Sequence, residues 1–192
     1  MHLSISVVIP NYNGRDLLAQ NLPSVFEALA KAQVDSEIIV ADDASTDDSV
    51  AFLQTHYPEI IVVVSQQNKG FASNINAGIF KATKDLVFAL NTDVRLTADY
   101  FLPLLDYFKH PNTFGVSGRV VGWDNDQLQD AAKFPVYSLK GIGGGTNYIP
   151  IDLLSTNHNH TSTKSSFIPS IFLSGSNALI DRQKLMELQG FC

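Results

Sequence analysis

Cysteine is all but missing from this sequence: of 192 residues only the last, Cys192, is one. That excludes a disulfide framework and a cysteine-rich zinc site, and it suits a reducing compartment. Positive charge is also short. The 13 Lys and Arg face 19 Asp and Glu, a formal net charge of −6, and no basic block stands out. A phosphate-neutralising stripe for nucleic acid is therefore not expected. Long apolar runs are absent too. The opening MHLSISVVIPN has no Lys or Arg ahead of its apolar run, and the run is too short for a signal peptide or for a membrane span of about 20 residues. No Gly-x-Gly-x-x-Gly follows the first apolar run, and no Gly-x-x-x-x-Gly-Lys-Ser/Thr or Gly-x-Ser-x-Gly occurs; Ser174-Gly175-Ser176 lacks the last spacing. The dinucleotide fingerprint, the P-loop and the nucleophile elbow are thus excluded. What remains is a chain of one-domain length and 45% hydrophobic content, enough to bury a sizeable core.

The apolar residues alternate between two patterns. Ile5 to Pro10 and Glu37 to Ala41 are short, nearly continuous apolar runs, expected for strands buried on both faces. Ile60 to Ser65 and Asp85 to Leu90 read the same way, and Phe114 to Val121 is strand-like. Between them lie helical spacings: Asp16 to Ala32, with Pro23 as a kink or a shifted start; a stretch capped by Ser45 to Asp48 and running through Thr55; Phe71 to Ala82; and Thr97 to His110. This alternation predicts an α/β fold, a doubly wound, mostly parallel sheet flanked by helices. Beyond Val121 the pattern degrades. Residues 122–166 read as a long connection, glycine-rich at Gly141 to Gly145 and polar from Ser155 to Ser166, and such connections are functional or mobile. Phe167 to Leu173 is strand-like, and Asp181 caps a short helix ending at Gly190. One domain spanning 1–192 is expected, with a nucleotide-binding half at 1–121 and the start of an acceptor-side half at 122–192.

The polar clusters fall just after strands: Asn11-Tyr12-Asn13-Gly14 after the first, Asp42-Asp43 after the second, Asn91-Thr92-Asp93 after the fourth. In open parallel sheets ligands bind at the carboxyl ends of the strands, so the three clusters converge on one rim. Polar βα turns and helix caps account for any one of them alone. Asp93 is the foremost metal-ligand candidate, a strand-end carboxylate that would hold a hard cation opposite a diphosphate. His158-Asn159-His160 is a second candidate, though it lies in a polar loop.

These residues resemble family 2 glycosyltransferases. Ser6 to Gly14, then Glu37 to Asp47 (EIIVADDASTD), look like the opening of that family, and Asn68-Lys69-Gly70-Phe71-Ala72 with Asn74, Asn76, Ala77 and Gly78 fits its third block. Asn91-Thr92-Asp93 falls where an Asp-x-Asp motif is expected, and Leu173 to Ile180, then Gly190-Phe191, resemble the acceptor-side block. The resemblance implies a GT-A fold and inverting transfer of a sugar from a UDP- or dTDP-sugar donor to a hydroxyl of a glycan or lipid-linked acceptor. Under it, Pro10, Asn11 and Tyr12 line the nucleoside pocket, Asp43 accepts a hydrogen bond from the base, Lys69, Gly70 and Asn74 lie near the ribose and diphosphate, Asn91 bonds the sugar or ribose, and Asp93 holds Mg²⁺ or Mn²⁺. It also implies polysaccharide synthesis in a bacterial cytoplasm, or at the cytoplasmic face of the membrane. Two departures stand out. The first acid of Asp-x-Asp is Asn91, as in rhamnosyltransferase-like members. The family's acidic catalytic base lies beyond the Gly-Phe block, hence beyond Cys192, so the chain reads as a fragment stopping short of it. Were the base inside the chain, Asp124, Asp126 and Asp130 would be its candidates.

Other classes fit less well. A phosphorylation-switch receiver wants an acid pair after the first strand, where Asn11 and Asn13 stand, and a sugar nucleotidyltransferase wants a glycine-rich first loop. A nucleotide-sugar-binding relative without turnover is the alternative that the missing base keeps open.

Overall fold

The computed structural model describes the backbone at residues 3–122, 128–130, 134–138, 141–145 and 173–191, and side chains within 3–122 and 173–191. The chain divides into two units: Met1–Gly118 with Gly175–Cys192, and Arg119–Ser174.

The first unit carries a six-stranded sheet. Its elements in chain order are β1 (Ile5–Asn11), α1 (Arg15–Ala32), β2 (Ser36–Asp42), α2 (Ser49–His56), β3 (Ile61–Val64), α3 (Phe71–Ile79), β4 (Leu86–Leu90), α4 (Phe101–Leu105) and β5 (Gly115–Ser117). In the second unit β6 (Val120–Val121) pairs with β7 (Leu128–Asp130), and β8 (Phe134–Ser138) with β9 (Gly141–Gly145), both antiparallel. The chain then returns to the first unit as β10 (Asn177–Asp181) and α5 (Arg182–Glu187). The sheet order is β3-β2-β1-β4-β10-β5. The first four strands are mutually parallel, and β10 runs antiparallel to both β4 and β5.

Alternation along the strands divides the core. Ile5, Val7, Ile9, Ile38, Val40, Phe88 and Leu90 pack with Leu18, Leu22 and Val25 of α1, Leu53 of α2 and Phe101 of α4 on one face. On the other face α3 lies so close that a Cβ on Gly78 would stand 2.5 Å from Val8 Cγ1 and 3.3 Å from the Ala41 Cβ. Glycine is what permits that approach.

Four points depart from expectation. The helix α1 starts at Arg15 and runs through Pro23. A mid-helix proline costs about 3 kcal/mol, and burying Leu18, Leu22, Val25 and Leu29 offsets it at about 1.5–3 kcal/mol each. The stretch 97–110 is not one helix: Tyr100 N–H bonds Thr97 C=O in a turn, α4 starts at Phe101, and a 3₁₀ turn follows over Asp106–Lys109. Pro103 has no N–H to give, so it belongs in a helix's first turn, which delays the start. The sheet has a late strand at Asn177–Asp181 that the sequence pattern did not mark; residues 167–172 lie outside the described part, as do His158, Asn159 and His160, while Leu173 is not in a strand. Ala178, Leu179 and Ile180 are almost wholly buried because β10 is an interior strand. Gly141 to Gly145, expected in a loop, forms β9. Its glycines lie opposite Phe134, Pro135, Val136 and Ser138, and glycine keeps the backbone groups a ladder needs.

Candidate functional site

The register of β1 on β2 sets Asn11 opposite Asp42. Both are buried, at 1% exposure, and Asn11 Nδ2 donates to Asp42 Oδ2 at 2.8 Å. Asp42 also accepts from the Ser45 backbone N–H at 2.9 Å and from the Ser45 hydroxyl at 2.6 Å. The turn after β1 is tied to the same place. Asn13 N–H donates to Ser45 Oγ at 2.9 Å, and Asn13 Oδ1 accepts from Thr46 N–H at 2.7 Å. Asn13 and Ala44 both take left-handed backbone angles, φ 52° and 60°. Asparagine tolerates this; for Ala44 it costs about 1–2 kcal/mol, which the bonds around it over-determine.

Asp43 reaches the other way. Its buried carboxylate accepts from Lys69 N–H at 3.0 Å on each oxygen and from Gly70 N–H at 2.8 Å. That fixes the loop leading into α3, which opens at Gly70 with φ 81°. One helical turn in, Asn74 Nδ2 donates to Ala41 C=O at 2.8 Å and Asn11 C=O at 3.3 Å. Carbonyls and carboxylates only accept, so the amides of Asn11 and Asn74 can face them only with nitrogen. This leaves Asn11 Oδ1 and Asn74 Oδ1 buried with no hydrogen-bond partner. Buried acceptors call for a donor. Beside them Tyr12 is half-exposed and Lys69 is exposed.

The Asn91-Thr92-Asp93 turn stands at the end of β4, next to β1. A Cβ on Gly14 would run into Asn11 Oδ1 and stand 3.6 Å from Thr92 Cγ2, so the two strand ends adjoin there. Asn91 N–H donates to Ser176 C=O at 3.1 Å and Val94 N–H closes the turn on Asn91 C=O at 3.3 Å. Asn91 Oδ1 is buried and unpartnered. Asp93 is exposed, and among the described residues no group pairs with its carboxylate. A carboxylate and an amide oxygen are hard donors of the kind that a Mg²⁺- or Mn²⁺-type ion takes, with water or phosphate oxygen completing its shell. Among the described residues no cluster of three or more His, Cys, Asp or Glu could hold a metal by itself.

All three polar clusters of the sequence therefore meet on one rim, and Asn11, Asp43, Lys69, Gly70 and Asn74 join in one network. Pro10 sits in β1, in register with Ala41. Asp47 does something else. Its carboxylate accepts from Arg15 N–H at 3.1 Å and from Ser49 N–H at 3.0 Å, holding the starts of α1 and α2. Burial pushes its pKa up, but the Ser49 hydroxyl and the backbone amides outweigh this and hold it below the ordinary carboxylate value. Asp181 caps α5, accepting from Lys184 N–H at 3.0 Å.

Sequence reasoning missed the structural work of Asp42, Asn13 and Ser45, and it missed Asn21, Ser24 and Tyr100. The Tyr100 hydroxyl accepts from Gly118 N–H at 3.2 Å and donates to Asn177 C=O at 3.1 Å, while Asn177 Nδ2 donates to Gly118 C=O at 3.0 Å. Burial drives the phenol pKa above its ordinary range, so it stays a neutral donor. Asn21 and Ser24 did leave a signal, as two polar residues at helical spacing on the apolar face of α1.

A family model described as glycosyl transferase family 2 matches residues 6–189. An uncharacterised glycosyltransferase of Nostoc sp. is 33% identical over 134 residues, 68% of this chain and 41% of that one. Among solved structures, S. aureus TarS 1–349 in complex with UDP-GlcNAc superposes with a TM-score of 0.66 at 15% identity, covering 98% of this chain and 48% of that one. The mannosyltransferase PcManGT of Pyrobaculum calidifontis, in complex with GDP-Man and Mn²⁺, gives 0.55 at 23% identity, covering 64% and 36%. The chain spans less than half the length of the curated relatives it matches.

Proposed function

The chain belongs to glycosyl transferase family 2, and on that premise we propose that its first unit is the donor-binding part of an inverting glycosyltransferase. One observation carries the reading: the ends of β2, β1 and β4 bring Asp42 and Asp43, Asn11, and Asn91 with Asp93 onto a single rim. The donor is a UDP- or dTDP-sugar, and the acceptor is a hydroxyl on a glycan or lipid-linked molecule. A lipid-linked acceptor would place the reaction at the cytoplasmic face of a membrane; among the described residues no helix is long and apolar enough to cross one.

Pro10, Asn11 and Tyr12 line the nucleoside, with the half-exposed Tyr12 ring as an apolar surface for the base. Asp43 accepts the base N3–H on lone-pair capacity that Lys69 and Gly70 leave free. Lys69, Gly70 and the start of α3 face the diphosphate, where a cation and backbone N–H groups favour negative charge. Asn91 Oδ1 and Asp93 would hold Mg²⁺ or Mn²⁺; bound there, the ion would neutralise charge growing on the departing nucleotide diphosphate. The PcManGT complex with Mn²⁺ supports that choice of ion. Transfer also needs a base for the acceptor hydroxyl. Following the sequence resemblance, we assign it to an acid C-terminal to the Gly190-Phe191 turn. Asn91 in place of an acid supports a rhamnosyltransferase-like donor preference.

Calorimetry with UDP, dTDP and GDP, each with and without Mn²⁺, tests the reading. Tighter binding of UDP or dTDP with the ion, lost in Asp93→Ala, is expected. Binding that ignores the ion would remove the metal role, and no nucleotide binding at all would remove the donor role.

A further inference from the structure

The Asn91–Leu96 segment carries the one exposed, unpartnered carboxylate of the proposed metal site, yet its backbone is held from helix α1. Asn21 Nδ2 donates to Thr92 C=O at 2.8 Å, and Leu96 N–H donates to Ser24 Oγ at 3.1 Å. The donor directions are forced. A carbonyl can only accept, so Asn21 must present nitrogen. An N–H can only donate, so the Ser24 hydroxyl accepts, and its own proton goes to Asn21 C=O at 2.7 Å. Asn21 and Ser24 lie one turn apart on one face of the helix, buried at 4% and 7% exposure. A buried helix face is served more cheaply by apolar residues. These two polar groups stand where the turn passes, and the backbone groups they bond, Thr92 C=O and Leu96 N–H, lie on either side of Asp93 in sequence. Leu96, itself buried in the core, seats the far end of the segment.

We propose that Asn21 and Ser24 are positioning residues for the metal site: together they clamp the 91–96 backbone so that Asn91 Oδ1 and Asp93 present their oxygens to one divalent cation. The proposal rests on the reading of Asp93 as a metal ligand. Without the clamp the turn keeps, among the described residues, its Ser176 bond, its own Val94–Asn91 closure and the apolar seating of Val94 and Leu96, none of which fixes the Thr92 carbonyl beside Asp93, and the two oxygens must be ordered at the moment the ion binds. The metal, and not the nucleoside, should then feel the loss. Direct partners of ligating groups usually carry about 10- to 100-fold in metal affinity, and Asn21 and Ser24, which hold the backbone on either side of Asp93, should fall near the lower end.

The test reads Mn²⁺ affinity by paramagnetic resonance of the free ion, in the presence of saturating UDP, with the UDP affinity measured separately without metal. Ser24→Ala and Asn21→Leu should each weaken Mn²⁺ by about 10-fold or more. Metal-free UDP affinity should stay within about twofold, and Ser24→Thr, which keeps the hydroxyl, should restore Mn²⁺ binding. Melting curves show which variants fold, and Ser24→Ala, the smaller change, carries the test if Asn21→Leu does not. Wild-type Mn²⁺ affinity in Ser24→Ala, alongside its loss in Asp93→Ala, overturns the clamp alone. Mn²⁺ affinity kept in Asp93→Ala, or no Mn²⁺ binding by the wild type, overturns the metal reading and the clamp with it.

Discussion

Asp43→Asn separates two jobs that one carboxylate holds. The Asp43 oxygens accept from two backbone N–H groups at 2.8–3.0 Å, and the proposed base contact would add a third donor. A hydrogen bond to a charged group is worth about 1.5–3 kcal/mol net. Lys69 and Gly70 are exposed, so water can take over their N–H groups, and the loss of fold stability should stay near the low end, about 1.5 kcal/mol. The binding term is separate. Uracil N3–H is a donor, whereas cytosine N3 is an acceptor, so an ionised Asp43 should favour UDP over CDP. Losing the charged acceptor costs UDP about 1.5–3 kcal/mol, or roughly 10- to 150-fold in Kd. The amide N–H that the substitution introduces would suit cytosine, so the UDP-to-CDP preference should shrink by at least that factor. Urea unfolding gives the first number, and calorimetry with both nucleotides gives the second. Asp47→Ala is the control: it should lower stability by about 0.5–2 kcal/mol as a lost cap and leave both nucleotides alone. If Asp43→Asn lowers stability but keeps the UDP-to-CDP ratio, Asp43 only braces the Lys69-Gly70 loop and the base contact is wrong.

Gly78→Ala should cost up to about 2 kcal/mol in urea unfolding, because overpacking against Val8 and Ala41 costs about 1–3 kcal/mol and the better helix former returns about 1; a more stable protein would refute the packing of α3 on the sheet. Acid should weaken the fold in part through Glu37. Burial pushes its pKa up, but the Ser6 and Thr83 hydrogen bonds and the Lys84 charge outweigh that and hold it below its ordinary 4.5. A depressed carboxylate stabilises fully above the unfolded value, and the contribution is lost as pH falls through the folded one. Glu37→Gln should therefore flatten the decline in stability as pH drops below about 4.5, and an unchanged acid limb in denaturant titrations would contradict the assignment. Gly14→Ala should loosen the Asn11–Asp42 contact, since its Cβ would run into Asn11 Oδ1; the readout is a weaker UDP affinity with the Mn²⁺ dependence intact.

The strands β1, β2 and β4 were legible because their apolar runs are continuous, which only a strand covered on both faces sustains. The polar rim was legible for a related reason: ligand groups in parallel sheets collect where strands end. Asp43 could be picked out by position, but not its use of both oxygens on Lys69 and Gly70, 26 and 27 residues away. The start of α4 was missed although Pro103 marked it.

By itself the sequence determined the alternation of elements, the residues that end each strand, and the one-sided scarcity of positive charge. Each is local, set by side-chain pattern over a handful of neighbours. Only the tertiary structure decided that residues 177–181 enter the sheet antiparallel between β4 and β5, since pairing between strands so far apart in the chain leaves no local mark. It likewise decided that Asn11 spends its amide nitrogen on Asp42 and keeps its oxygen free, a consequence of strand register. And it decided that Asn21 and Ser24 hold Thr92 and Leu96, 71 and 72 residues away, because the docking of α1 on the sheet brings those backbones within hydrogen-bond reach.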